Sequence, residues 1–131
     1  MIQNSGMEIR ANIGKIPLLS KFIGNSMFKY GLGEYTQFQV QIAVEEIVNN
    51  IIKCGKLHEN DKISVKCQKE DNEIKIFISY PGKMFNPSMP NSSSLKGKKD
   101  CLKIYFTRKN FNRINHEFDD GKNLLTLIKN I

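Results

Sequence analysis

The sequence predicts an α+β fold: a two-layer sandwich with helices packed on one face of a mixed, mostly antiparallel sheet. Two apolar stripes at helical spacing stand next to each other in the first half of the chain, and two pairs of alternating segments each close on a turn signal. The resulting order, β-α-α-β-β-loop-α-β-β, bunches helices against hairpins instead of alternating them with strands. With 131 residues, 40% hydrophobic and 25% charged, residues 1–131 have the length and composition of one globular domain.

Residues Met7 to Ala11 read as a first strand. From Ile16 the apolar positions Leu19, Phe22, Ile23, Met27 and Tyr30 recur at helical spacing; Pro17 suits a first turn and Gly31 a stop, so a helix is expected over about 15–30. In the next segment Thr36 with Gln39 fits a capping box, and Tyr35 with Val40 fits a hydrophobic staple. Val40, Ala43, Val44, Ile47, Val48 and Ile51 then form a helical stripe that Gly55 ends. Ile63, Val65 and Cys67, and then Ile74, Ile76 and Ile78, alternate with polar residues around a turn at Lys69–Asn72.

A polar stretch from Tyr80 to Asp100 follows, with Pro81, Pro87, Pro90 and three serines from Ser92. A loop this long in a compact domain is usually a functional lid or a disordered segment. A short helix is expected over Cys101–Lys109 with Asp100 as its cap. Strands over Arg113–Phe118 and Asn123–Lys129 close the chain across Asp119–Lys122, where Asp-Gly is a strong hairpin signal.

Composition excludes several classes. Twenty Lys and Arg against thirteen Asp and Glu leave a formal charge of +7. That balance invites nucleic-acid binding, but the basic residues are mostly lysines spread along the chain, with no recognition-helix, RNP or zinc-finger pattern. A lysine-, asparagine- and isoleucine-rich bias explains the surplus as well, and no nucleic-acid partner is expected. The one dense basic cluster is Lys96, Lys98, Lys99, Lys103, Arg108, Lys109 and Arg113. No stretch approaches the roughly 20 apolar residues of a membrane span, and Met1–Gly6 is not a basic-then-apolar leader, so a cytoplasmic protein without membrane contact is expected. Cys54, Cys67 and Cys101 are odd in number and form no CxxC pair; they read as small apolar fillers, neither a disulfide framework nor a zinc site.

The chemistry-bearing pattern lies in the second helix, at Glu45-Glu46-Ile47-Val48-Asn49-Asn50. Two Glu/Asn pairs share the i, i+4 spacing. At about 100° per residue, Glu45 and Asn49 point opposite the apolar stripe, whereas Glu46 and Asn50 border it, where a pocket can be lined. A carboxylate there can take a proton from an attacking hydroxyl, and an amide oxygen can hold Mg²⁺ beside a triphosphate. Taken alone, this spacing is more often two polar residues flanking a buried stripe.

The run Ala43–Lys53 resembles the N-box of the GHKL ATPases, the gyrase, histidine-kinase and MutL superfamily, and more narrowly that of the bacterial anti-sigma-factor serine kinases. The tail Arg113–Lys129 resembles the closing hairpin of the same kinases, and Phe85-Asn86-Pro87 stands where they carry Phe-Asn-Pro after the G1 box. The resemblance implies the GHKL (Bergerat) version of the sandwich, with a lid over about 80–100. It implies ATP and Mg²⁺ as cofactors, Glu46 as general base and Asn50 as the residue that holds Mg²⁺. Two boxes depart from the family pattern. The G1 aspartate, which accepts the adenine amino group, falls on Pro81 or Tyr80, with Gly82 retained and Ser79 as a weak substitute. The Gly-x-Gly of the G2 box falls on Cys101-Leu102-Lys103; Gly97, Lys98 and Lys99 are left to bind phosphate by charge.

The function this implies is an anti-sigma-factor-like regulatory domain. It would bind a sigma factor or an anti-anti-sigma partner of STAS type, and as an enzyme it would be an ATP-dependent serine-protein kinase with weakened or lost ATP binding. A homodimer is compatible with the same reading. The alternative is a catalytically dead protein-binding scaffold unrelated to sigma factors.

Overall fold

Alternation sets which side of the sheet is covered. In β2 (Lys62–Glu70) Ile63, Val65 and Cys67 are buried, and in β3 (Glu73–Pro81) Ile74, Ile76, Ile78 and Tyr80 are buried, while the residues between them reach the other face. The computed structural model describes residues 2–88 and 105–131. Around these strands the chain runs β1 (Ile2–Arg10), a 3-10 turn (Ile13–Lys15), α1 (Ile16–Lys29) and α2 (Glu34–Cys54). After β3 come α3 (Tyr105–Asn110), β4 (Arg113–Asp119) and β5 (Lys122–Asn130). The five strands lie in the order β1-β2-β3-β5-β4, and every pairing is antiparallel. Leu19, Ile23 and Met27 of α1 and Ile47, Val48 and Ile51 of α2 are buried with the inward residues of β2, β3 and β5. Each such side chain contributes roughly 1.5–3 kcal/mol by leaving water.

Both hairpins are tighter than their flanking residues suggest. Asp71 and Asn72 alone connect β2 to β3, with Asp71 at a φ of 47°. At the second hairpin Asp120 and Gly121 both have positive φ, 48° and 75°, the combination a two-residue turn needs to match the strand twist.

Two expected features differ. The first strand is nine residues long, because Ile2 to Arg10 pair with β2 from Glu70 to Lys62 along their whole length. That ladder is made by backbone groups, so Gln3, Asn4, Ser5 and Gly6 join it without an apolar pattern. The capping box at Thr36 does not form. α1 ends with Leu32 N donating to Met27 O at 3.1 Å and Gly31 N to Phe28 O at 3.0 Å. The chain then turns straight into α2 at Glu34, with an extended Gly33 as N-cap and no side-chain cap bond. Thr36 and Gln39 therefore lie inside the helix, and Tyr35 is exposed instead of stapled to Val40.

The cysteine expectation is half right. Cys67 is a free, buried thiol, whereas Cys54 is disulfide-bonded. Among the described residues no helix is long and apolar enough to cross a membrane.

Burial predicts alkaline instability. The Cys67 thiol is pushed up from 9.0 to about 12 by burial. Burial also raises the Tyr80 and Tyr30 phenols above their ordinary 10.0; Tyr30 donates to Cys67 O at 3.1 Å. Folded-state values above unfolded ones mean that the unfolded chain gives up protons the folded chain keeps. Stability is therefore full below about pH 9 and falls as pH rises, by about 1.4 kcal/mol per pH unit for the thiol alone. Urea unfolding across that range should show the decline, and Cys67→Ala should flatten its first part. A profile that stays level in the unmodified chain would contradict the assignment.

Candidate functional site

The helical phase of α2 does what the spacing indicates for Glu46 and Asn50. Ala43, Ile47 and Asn50 turn inward, and Glu46 sits at the border of that face, next to α3. The Glu46 carboxylate accepts three hydrogen bonds from α3. Thr107 N and Thr107 Oγ1 donate to Oε1 at 3.0 and 2.9 Å, and Phe106 N donates to Oε2 at 3.3 Å. Thr107 Oγ1 also lies 3.0 Å from Ala43 O, so one buried threonine joins both the backbone and a side chain of α2. Glu46 thus serves the amides at the start of α3, which have no partners within their own helix.

Asn50 is 1% exposed, and its Nδ2 has no hydrogen-bond partner among the described residues. Leaving a buried amide unpaired costs about 1–3 kcal/mol, and native structures seldom tolerate it without a reason.

Glu45 does not point freely into solvent as its angle suggested. It is half-buried against α1, hydrogen-bonded to Ser20, and burial raises its pKa above 4.5 despite that bond. α1 packs on that flank, where Gln41 Nε2 donates to Ser20 O at 2.9 Å.

At the end of β3 the strand's two-residue period decides the fate of the G1 segment. Tyr80 turns inward and is fully buried, with its hydroxyl donating to Phe85 O at 2.5 Å. Ser79 and Pro81 turn to the opposite face, so Ser79 is not a substitute acceptor. Gly82 has a φ of 110°, and its amide donates to Gly121 O at 3.0 Å. It is a turn residue that ties β3 to the β4–β5 hairpin, a conformation that a side chain would strain. Arg108, part of the expected basic cluster, donates through Nη2 to Ser88 O in the loop after Phe85-Asn86-Pro87. Gly97, Lys98 and Lys99, the cap Asp100 and the G2 positions Cys101-Leu102-Lys103 lie outside the described residues.

Sequence reasoning missed two residues. Thr107 lies 61 positions from Glu46, and no spacing rule links them. Asn123 is fully buried: its Oδ1 accepts from Phe85 N at 2.9 Å and lies 2.9 Å from His116 Nε2, and its Nδ2 donates to Lys83 O at 3.0 Å and Tyr80 O at 3.4 Å. A signal existed for Asn123, because it is in phase with Leu125 and Leu127 and so had to point inward.

Mg-ATP needs a base, an amide oxygen for the metal and an adenine acceptor. Asn50 stands on the inward face of α2 where the amide is needed, but its unpaired atom is the donor Nδ2, which cannot hold a cation. Glu46 does not fit its part, because its carboxylate is engaged by α3, and the inward position at the end of β3 is a phenol already bonded to Phe85 O. Together the described residues do not fit the complex. Among them, no group of three or more His, Cys, Asp or Glu forms a metal site.

A sequence model of the histidine kinase-like ATPase domain matches residues 9–129. Among solved structures, that of the RsbU and RsbW domains of Rv1364c from Mycobacterium tuberculosis is similar, with a TM-score of 0.67 and 12% identity. The match covers 97% of this chain and 31% of that one, so the likeness is to a part of a longer protein. No curated protein matches significantly.

Proposed function

Because the chain belongs to the histidine kinase-like ATPase domain family, we propose that it is a cytoplasmic anti-sigma-factor-like regulatory domain whose nucleotide chemistry is weakened or lost. Its partner is a sigma factor or an anti-anti-sigma domain of STAS type. The family in general takes ATP and Mg²⁺. The observation that carries the loss is Glu46, the residue in the base position, which accepts three hydrogen bonds from α3. The regulatory reading rests on the resemblance of the α2 run and the closing hairpin to anti-sigma-factor kinases. The likeness in fold to a structure holding an RsbW domain supports it. Asn50, buried on the inward face of α2, occupies the position that in the resembled kinases holds the metal.

Calorimetric titration with Mg-ATP tests the first half. The expected dissociation constant is weaker than about 1 mM, and micromolar binding, roughly −8 kcal/mol, overturns it. Co-elution of the purified chain with sigma factors and STAS domains of its own organism tests the second half. Binding to neither class would favour a scaffold unrelated to sigma factors.

A further inference from the structure

The outward face of α2 adjoins the site described above at Glu46 but extends well beyond it. Tyr35, Phe38, Ile42, Glu45 and Asn49 follow each other at intervals of three, four, three and four, so they share one face opposite the buried stripe. Tyr35 and Phe38 are 68% and 62% exposed. Tyr35 and Phe38 lie one turn apart, and exposed apolar residues grouped on one face are where interaction surfaces form. Beyond Ile42 the face opens into a groove of about 500 Å³, walled on the other side by Ile13, Ile16 and Pro17.

The charge of the groove identifies what suits it. The chain carries a formal +7, yet among the described residues the charged ones lining the groove are two glutamates. Glu46 is engaged by α3. Glu45 has a hydrogen bond from Ser20, and burial raises its pKa. The inward stripes of α1 and α2 are spent on the chain's own core, so a second copy could offer this face only the outward residues Leu18, Phe28, Tyr35 and Phe38.

We propose that this face of α2 is the docking site for an amphipathic helical segment of a partner protein. Its apolar side chains cover Tyr35, Phe38 and Ile42, and an Arg or Lys near its end meets Glu45. The proposal rests on the reading of the domain as a partner-binding regulator and names the chemistry of the segment recognised. The face spans about 21 Å from Tyr35 to Asn49, which matches a partner helix of about four turns.

The probe is a fluorescein-labelled helical peptide of that length, with leucines at helical spacing and an arginine near one end. A second peptide carries glutamate in place of the arginine. In anisotropy titrations against the full chain the arginine peptide should bind at least about tenfold more tightly. Glu45→Lys should reverse that order. Phe38→Ser, an exposed substitution, should weaken both peptides with an unchanged circular dichroism spectrum. Equal binding of the two peptides, or indifference to Phe38→Ser, overturns the proposal. So does a dimer in sedimentation that Phe38→Ser converts to monomer, since a second copy then covers the face. A sigma factor or STAS domain that binds the Phe38→Ser and Glu45→Lys chains as tightly as the unmodified one overturns the docking site and leaves the regulatory reading standing. If the arginine peptide binds by this face while no sigma factor or STAS domain does, the docking site stands and the regulatory reading falls.

Discussion

Asn123→Ala should lower the unfolding free energy by about 3 kcal/mol, the largest effect expected of any polar substitution in this domain. The side chain is fully buried at the start of β5 and accepts or donates at four points. Truncation strands the amide of Phe85 and the carbonyl of Lys83, which have no replacement partner among the described residues. Each buried group left unpaired costs about 1–3 kcal/mol, and water entering from the loop side recovers part of it. The loss is also local. Phe85 begins the Phe-Asn-Pro segment, which Asn86 Oδ1 continues by accepting from Ser88 N at 3.0 Å. Hydrogen exchange should therefore quicken at Phe85 and Ser88 well before the strands open. His116→Ala, which removes one of the four contacts at an edge strand, serves as the mild control. A change below about 1 kcal/mol for Asn123→Ala would show that the loop does not depend on it.

Glu46→Ala is the second large effect, a loss of about 2–3 kcal/mol. Hydrogen bonds to a charged acceptor contribute more than neutral ones, and this carboxylate accepts three at the junction of α2 and α3. Glu46→Gln keeps one acceptor oxygen and should lose about half as much. Thr107→Val removes the hydroxyl shared between Glu46 and Ala43 O. The double variant Glu46→Ala/Thr107→Val should cost less than the sum of the two, with a coupling of about 1 kcal/mol in a denaturant cycle. Glu45→Ala should stay within about 0.5 kcal/mol, because its hydrogen bond and the cost of its burial oppose each other. Comparable losses for Glu45→Ala and Glu46→Ala would refute the assignment of the helix face. Removing a partly buried charge can stabilise a fold, but the bonds from Thr107 and Phe106 reverse that sign at Glu46.

What was legible in the sequence is what short-range periodicity controls. The stripe Val40 to Ile51 made α2 a buried helix, the alternation in β2 and β3 made a half-covered sheet, and Asp120-Gly121 closed the last hairpin, since only a few residue types accept positive φ at both turn positions. Helical phase placed Asn50 inward, but it did not separate Glu45 from Glu46, which are both half-buried. Strand phase could have decided between Tyr80 and Ser79, because a period of two leaves a single inward choice.

Tertiary structure alone decided whether those residues are available. Glu46 and Thr107 are 61 positions apart, and Phe85 and Asn123 are 38 apart. No local pattern encodes such pairs, because they exist only when packing brings two elements to the same place. The N-terminus of α2 shows the same limit from the other side. Thr36 and Gln39 are a sound capping box by local chemistry, but the helix starts at Glu34, where the chain leaves α1. A cap contributes about 1 kcal/mol, less than the burial of one isoleucine, so the packing of α1 on α2 sets the boundary and the box is left unused.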